Sequence, residues 1–323
     1  MASHPSRLAP SISAVVPVYN AELSLDELVA RLSSVLPTIA SRWEIILVND
    51  GSADGSWPVI ERLAAASAHV VGIDLARNSG QHNALLAGIR AAQCDVIVTL
   101  DDDLQNPPEE IPKLIAGLGT GFDVMYGVPE KLSHDLWRNV TSTITKWSLA
   151  QFMGAETARN ISGFRAFRTV VRAAFADYRS ALVSIDVLLT WGTSRFGMAS
   201  VAHHPRRHGR SNYGVLSLLT HTLNMLTGFG TAPLRLASYG GFVFILFGII
   251  ALLFVVIRYM VQGTTAPGFP FLASIVILFS GVQLFALGII GEYVSRVHFR
   301  LTDRPSYTIR TTVGEEVRQP DGV

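Results

Sequence analysis

The sequence predicts an α/β domain with a mostly parallel sheet, followed by a membrane-associated helical region. Three observations predict it. Short apolar runs rich in β-branched residues alternate with runs of helical period over residues 12–128, which implies right-handed crossovers between parallel strands. Several of the strand-like runs end abruptly in polar turns carrying Asn or Asp. Residues 240–257 and 271–290 carry no charge, and a bilayer crossing takes about 20 predominantly apolar residues.

The elements follow in order. Residues 12–18 (Ile-Ser-Ala-Val-Val-Pro-Val) read as a strand, and a helix over 23–36 places leucines at 25, 28 and 32. Residues 44–50 form a second strand ended by Gly51-Ser52, with a helix from about Asp54 to Ala66. A third strand spans 70–75, a helix runs from about Gln81 to Ala92, and a fourth strand spans 96–100. Helices beginning near Leu136, Arg165 and Ala181 complete the domain. Residues 1–10 lack the apolar core of a signal peptide and are expected to be disordered, which leaves the domain over 11–212 on the cytoplasmic side.

Residues 213–232 place Val215, Leu216, Leu219, Leu223, Leu226 and Phe229 near one helical face, as in a helix lying along a membrane surface. Residues 233–295 read as a hairpin of two membrane-spanning helices, about 236–258 and 271–294, broken by a Gly- and Pro-containing turn. Arg258 and Arg296 flank the spans, and the turn between them has no Lys or Arg. Both ends of the hairpin, and the tail over 296–323, are therefore expected on the cytoplasmic side.

Composition agrees with a partly lipid-facing chain. Of 323 residues, 49% are hydrophobic and 16% charged, against roughly 25% charged in soluble domains. The formal net charge of +1 gives no field that favours nucleic acid, and no nucleic-acid partner is expected. The single cysteine, Cys94, excludes an internal disulfide. Neither a Gly-x-Gly-x-x-Gly after the first strand nor a Gly-x-x-x-x-Gly-Lys-Ser/Thr loop is present, which disfavours hydride transfer and P-loop chemistry.

The most informative stretch is the fourth strand and its exit, Val96-Ile97-Val98-Thr99-Leu100-Asp101-Asp102-Asp103-Leu104-Gln105-Asn106-Pro107-Pro108. The prolines forbid the strand from continuing, so three carboxylates stand at the open end of a buried strand, where parallel α/β sheets bind ligands. Adjacent carboxylates repel, and a site that gathers them expects a hard divalent cation completed by substrate phosphates. Asn20 after the first strand and Asp50 after the second belong to the same rim.

Four motifs occur in order: Val16-Pro17-Val18-Tyr19-Asn20, Val48-Asn49-Asp50-Gly51-Ser52, Arg77-Asn78-Ser79-Gly80-Gln81-His82-Asn83-Ala84 and Asp101-Asp102-Asp103-Leu104-Gln105. With Ser162-Gly163-Phe164-Arg165 and the two apolar runs, they resemble the family 2 inverting glycosyltransferases of GT-A fold, and within them the polyprenyl-phosphate glycosyltransferases. Each motif alone is weak; their order over residues 11–310 is specific. The resemblance implies a Rossmann-like GT-A domain and transfer of a sugar from a nucleotide diphosphate to a polyprenyl (undecaprenyl-type) phosphate. It implies a Mg2+ or Mn2+ ion held by Asp101 and Asp103, with Gln105 near it. Pro17, Tyr19 and Asp50 would hold the base and ribose, and Glu22 is a further candidate one place later than relatives carry their Glu. Asp102 is counted with Asp101 and Gln105 among the nucleotide-sugar-binding residues, but it takes the variable middle position and is expected to tolerate change. Asp103, Arg165 and Arg168 are the catalytic candidates; Arg138, Arg165 and Arg168, the last two read at helical spacing, would meet the acceptor phosphate. Arg206 and Arg207, in the basic run 203–213, would reach the diphosphate. The motif context favours a UDP-sugar over GDP-mannose, and a homo-oligomer and a flippase partner are in keeping with the resemblance. Two alternatives stand beside it: a processive polysaccharide synthase, whose Gln-x-x-Arg-Trp motif is absent, and a non-catalytic membrane module that senses a nucleotide sugar.

Overall fold

A computed structural model describes residues 9–129, 161–180, 183–204, 232–262, 268–301 and 305–314. The chain divides into two units, residues 1–214 with 303–323, and residues 215–302.

The first unit is built on one eight-stranded sheet. Its elements are β1 (Ile12–Val18), α1 (Leu25–Ile39), β2 (Trp43–Asn49), α2 (Ser56–Ala66), β3 (Val70–Leu75), α3 (Gln81–Ala91), β4 (Val96–Thr99), a 3-10 turn (Pro108–Glu110), α4 (Ile111–Gly119), β5 (Val124–Pro129), β6 (Arg165–Arg168), a second 3-10 segment (Thr169–Phe175), α5 (Ile185–Gly192), β7 (Phe196–Val201) and, from the end of the chain, β8 (Ile309–Val313). The strand order is β7-β5-β6-β4-β1-β2-β3-β8. Parallel pairing joins β1 to β2 and β4, β2 to β3, and β5 to β7; β6 runs antiparallel to β4 and β5, and β8 antiparallel to β3. The sheet is therefore mixed.

The central strands are buried along their whole length, which explains why they read as continuous apolar runs rather than alternating ones. Helix α1 turns Leu25, Leu28, Leu32 and Leu36 into this core at three- and four-residue spacing. Pro17 is tolerated inside β1 because β4 pairs with β1 only as far as Val15, so the missing N–H lies beyond the shared ladder.

Two departures from expectation matter for function. The helix expected to begin at Arg165 is the strand β6 instead. Four residues flanked by Phe164 and Thr169 carry too little pattern to separate the two states, and pairing with β4 and β5 decides it. The tail contributes an edge strand: Ile309, Thr311, Thr312 and Val313 are β-branched, and Gly314 closes the strand at φ 87°. The helix expected near Leu136 and residues 213–231 of the expected surface helix lie outside the described residues, and Ala232 already belongs to the long helix described next.

The second unit contains α6 (Ala232–Gln262, 31 residues) and α7 (Phe269–Leu301, 33 residues). The second helix thus extends past the boundary expected at 294. At about 1.5 Å per residue these helices are about 46 and 50 Å long. Phe242, Val243, Leu246, Phe247, Leu253 and Phe254 of α6 are exposed, as are Leu272, Leu284, Phe285 and Leu287 of α7. Among the described residues no helix is long and apolar enough to cross a membrane. The charge-free runs over 240–257 and 271–290 are a property of the sequence.

Candidate active site

The C-terminal ends of β1, β2 and β4 open on one side of the sheet, with Val18 beside Asn49 and Val15 beside Thr99. Three turns leave these ends and interlock. After β1, the Asn20 side chain accepts the Ala53 N–H at 2.8 Å, and its own N–H donates to Ser52 Oγ at 3.0 Å. Asn20 takes φ 53°, a left-handed conformation that Asn adopts more readily than most residues. After β2, the buried Asp50 carboxylate accepts the Ser79 N–H at 2.6 Å and the Gly80 N–H at 2.9 Å, just ahead of α3. Burial pushes the Asp50 carboxyl up, and these two N–H groups offset only part of that. Tyr19, just before Asn20 on the turn after β1, is half exposed.

The acidic turn after β4 gives each aspartate a different anchor. Gln81 Nε2, at the start of α3, donates to Asp101 Oδ1 at 2.6 Å. The Asp102 carboxylate accepts the Tyr19 N–H at 3.1 Å, and Asp103 Oδ1 accepts the Gln105 N–H at 3.1 Å. Leu104, at φ 59°, bends the chain between them with its side chain buried. Burial, with the neighbouring charges of Asp101 and Asp103 behind it, pushes the Asp102 carboxyl up to about 7. The Gln105 carbonyl accepts the His204 N–H at 2.8 Å, so the start of the basic run over 203–213 is tied to the acidic turn.

Behind Asp101 stands a buried polar chain. Thr99 Oγ1 donates to the Gly163 carbonyl at 2.7 Å and accepts from Arg165 Nε at 3.0 Å. Arg165 Nη1 pairs with Asp186 Oδ1 of α5, which also accepts the Tyr126 hydroxyl at 2.9 Å. Burial works against the Arg165 charge, yet Asp186, Tyr126 and Asp101 together hold its guanidinium above its usual value. Gly163 permits the close approach: a Cβ there would stand 2.9 Å from Asp101 Oδ2.

Several expected site residues fall elsewhere. Arg165 is fully buried and committed to Asp186 and Thr99, so it stands behind the rim rather than open on it. Arg168 pairs in register with Val96, at the opposite end of β4 from the acids, and turns to the Leu118 carbonyl and Asp123. The reason is the strand: residues three apart share a helical face but oppose one another across a pleat. Glu22 accepts the Gly55 N–H at 3.0 Å and so braces the start of α2. Pro17 is buried within β1. Arg138, Arg206 and Arg207 lie outside the described residues. The sequence reading assigned no site role to Gln81, Thr99, Tyr126 or Asp186; only Gln81, directly after Ser79-Gly80 at a helix start, left a local signal.

Among the described residues no three His, Cys, Asp or Glu side chains converge as a preformed metal cage. The rim is instead an open set of carboxylate oxygens beside backbone-lined turns, suited to a ligand that brings its own oxygens.

Residues 13–177 match the family model described as glycosyl transferase family 2. The chain is 36% identical over 311 residues to an undecaprenyl-phosphate 4-deoxy-4-formamido-L-arabinose transferase of Shewanella sediminis, covering 95% of this chain and 94% of that one. A transferase of the same name from Proteus mirabilis is 36% identical over 314 residues, covering 96% and 95%. Among solved structures, glucosyl-3-phosphoglycerate synthase of Mycobacterium tuberculosis with Mn2+, UDP and phosphoglyceric acid superposes with a TM-score of 0.51 at 19% identity, over 68% of this chain and 76% of that one. The same synthase with Mg2+ and UDP gives 0.50 at 18% identity, over 68% and 77%. The structural likeness shows a shared GT-A-like fold, and the sequence matches settle the rest: the chain belongs to glycosyltransferase family 2.

Proposed function

We propose that this protein moves a sugar, with inversion, from a nucleotide diphosphate donor to an undecaprenyl-type polyprenyl phosphate at a membrane face. The observation that carries this reading is the extent of the similarity. Relatives named as undecaprenyl-phosphate transferases match 95% of the chain, helical unit included. The donor is a UDP-sugar, in keeping with the UDP bound by the structural neighbours.

The residues suit the chemistry. A phosphate monoester has a second pKa of about 6, so the acceptor is already a nucleophilic anion near neutral pH and needs no strong base. The rim has to seat two anionic groups and stabilise the departing diphosphate. Asp101 and Asp103, with Gln105 beside them, fit a magnesium or manganese ion, because such ions take one or two carboxylates and complete their shell with substrate phosphates. When bound, that ion supplies positive charge to the diphosphate. Asp50 spends one lone pair per oxygen on Ser79 and Gly80 and keeps acceptor capacity for the nucleoside. The half-exposed Tyr19 and the turn after Pro17 flank it. Arg138, Arg206 and Arg207 are the proposed phosphate partners, and Arg165 acts by holding Gly163 and Thr99 in place behind Asp101.

The helical unit is read as a two-span anchor that brings the lipid acceptor to the catalytic unit. The charge-free runs over 240–257 and 271–290 and the exposed apolar rows on α6 and α7 support this. Assembly as a homo-oligomer and hand-over of the product to a flippase belong to the same reading.

The test is a donor panel. Purified protein is incubated with undecaprenyl phosphate, magnesium and UDP- or GDP-linked sugars, UDP-4-deoxy-4-formamido-L-arabinose among them, and the lipid product is weighed by mass spectrometry. The expected result is a lipid heavier by one sugar for a UDP donor. Nucleotide binding without lipid product from any donor would point to the sensing module instead.

A further inference from the structure

The tail strand β8 does more than cover an edge. Arg310 Nη1 lies 2.9 Å from Asp74 Oδ2, and its Nη2 donates to the Ala76 carbonyl at 2.8 Å. The other oxygen of this buried Asp74 accepts Asn49 Nδ2 at 2.7 Å. The Ala76 N–H in turn donates to the Thr308 carbonyl at 2.8 Å, so the tail holds the peptide groups on both sides of Ala76.

Ala76 begins the turn whose other end, Ser79 and Gly80, is held by Asp50. The same turn packs backbone to backbone on the next residue of the rim: a Cβ on Gly51 would stand 2.5 Å from the Asn78 nitrogen. The 76–80 turn is thus fixed at one end by the tail and at the other by Asp50. Asn49, the residue before Asp50, is tied to the carboxylate that Arg310 neutralises.

We propose that Arg310 is a positioning residue for the nucleoside end of the site, acting through Asp74 and the 76–80 turn. This rests on the nucleotide-sugar reading above. The planar fork of arginine reaches the carboxylate and the carbonyl together, whereas lysine offers a single point charge. Without Arg310 the buried Asp74 keeps only Asn49 among the partners described above, and the turn loses its anchor from the tail.

The experiment compares Arg310→Ala and Arg310→Lys with wild type, using the full chain in detergent. The control is Arg62→Ala, whose exposed pair with Asp26 involves neither rim turn. UDP affinity with magnesium is measured by calorimetry, donor KM and kcat by product formation. Arg310→Ala is expected to weaken UDP binding and raise donor KM about three- to tenfold with kcat within about twofold. Arg310→Lys should fall between it and wild type, and it serves as the test if the alanine variant does not fold. A lowered melting temperature with unchanged UDP affinity, or a loss confined to kcat, overturns the positioning role alone. Failure of the wild type to bind UDP overturns the donor reading and this role with it.

Discussion

The Asp102 carboxylate accepts the Tyr19 backbone N–H at 3.1 Å, so the middle acid of the triplet ties the turn after β4 to the turn after β1. The position expected to tolerate change is therefore a joint between the two sides of the rim. Asn at 102 retains a carbonyl oxygen for that N–H, and Ala does not. Asp102→Ala is predicted to lower kcat/KM about tenfold or more, because small misplacements of a binding rim are costly. Asp102→Asn should stay within about threefold of wild type, measured in the donor assay.

The same residue sets a pH dependence. Its carboxyl titrates near 3.9 in an unfolded chain and at about 7 in the folded protein. A raised carboxyl pKa favours the fold only while the group is protonated. Its contribution is complete below about pH 4 and is lost as pH rises towards 7. In a metal-chelating buffer, Asp102→Asn should melt at the same temperature as wild type near pH 4 and above it at pH 7 and beyond. Melting curves of both proteins across that range test this. Equal melting at every pH would refute it.

Asp101→Ala and Asp103→Ala are each predicted to reduce transfer by at least a hundredfold while the circular dichroism spectrum and melting temperature stay near those of wild type. Both acids stand on a turn outside the core, so their loss removes ligand-binding oxygens without opening a cavity. Near-normal turnover in either variant would sink the metal assignment.

Gly163→Ala separates geometry from charge. The added methyl would lie 2.9 Å from Asp101 Oδ2, and the carboxylate has to move away. The predicted result is a fall in kcat/KM of about tenfold, with the apparent affinity for magnesium weakened in parallel. Unaltered kinetics would mean that the carboxylate swings aside without consequence.

The buried pair behind the rim makes a stability prediction. Arg165→Met leaves Asp186 charged and buried with Tyr126 as its remaining partner, and losing one member of a buried pair costs about 3–5 kcal/mol. Adding Asp186→Leu should recover part of that loss, because two apolar groups replace an unmatched charge. A double variant no more stable than Arg165→Met alone would contradict the pairing argument.

The sequence made the first half of the fold legible. Strands β1 to β4 are almost uniformly apolar, helices α1 to α3 are longer, and polar turns with Gly, Asn or Asp punctuate the alternation. The acids at their ends could be placed on one rim for the same reason. Legibility failed where pattern was short or the partner distant. Arg165-Ala166-Phe167-Arg168 fits a helix or a strand by composition, and only pairing with β4 and β5 separates them. That one misreading moved Arg168 onto the site and left Arg165 facing a ligand rather than Asp186. Glu22 was legible as a conspicuous acid beside the rim, but not as the brace of α2, because Gly55 is 33 residues away. β8 carried a β-branched signal, yet its partner Asp74 is 236 residues distant from Arg310.

That separation has a consequence for how the protein is made. β3 is complete once residue 75 has been synthesised, but its neighbour on the open side arrives only after both long helices. At roughly 5–20 residues per second, the edge of β3 waits on the order of ten to fifty seconds for its partner. During that interval its unpaired N–H and C=O groups form a template for any extended chain. A truncation that ends before α6 makes the exposure permanent. The catalytic unit is thus discontinuous in sequence, with the helical unit inserted between β7 and β8, and a version without the helical unit has to carry residues 305–314 with it.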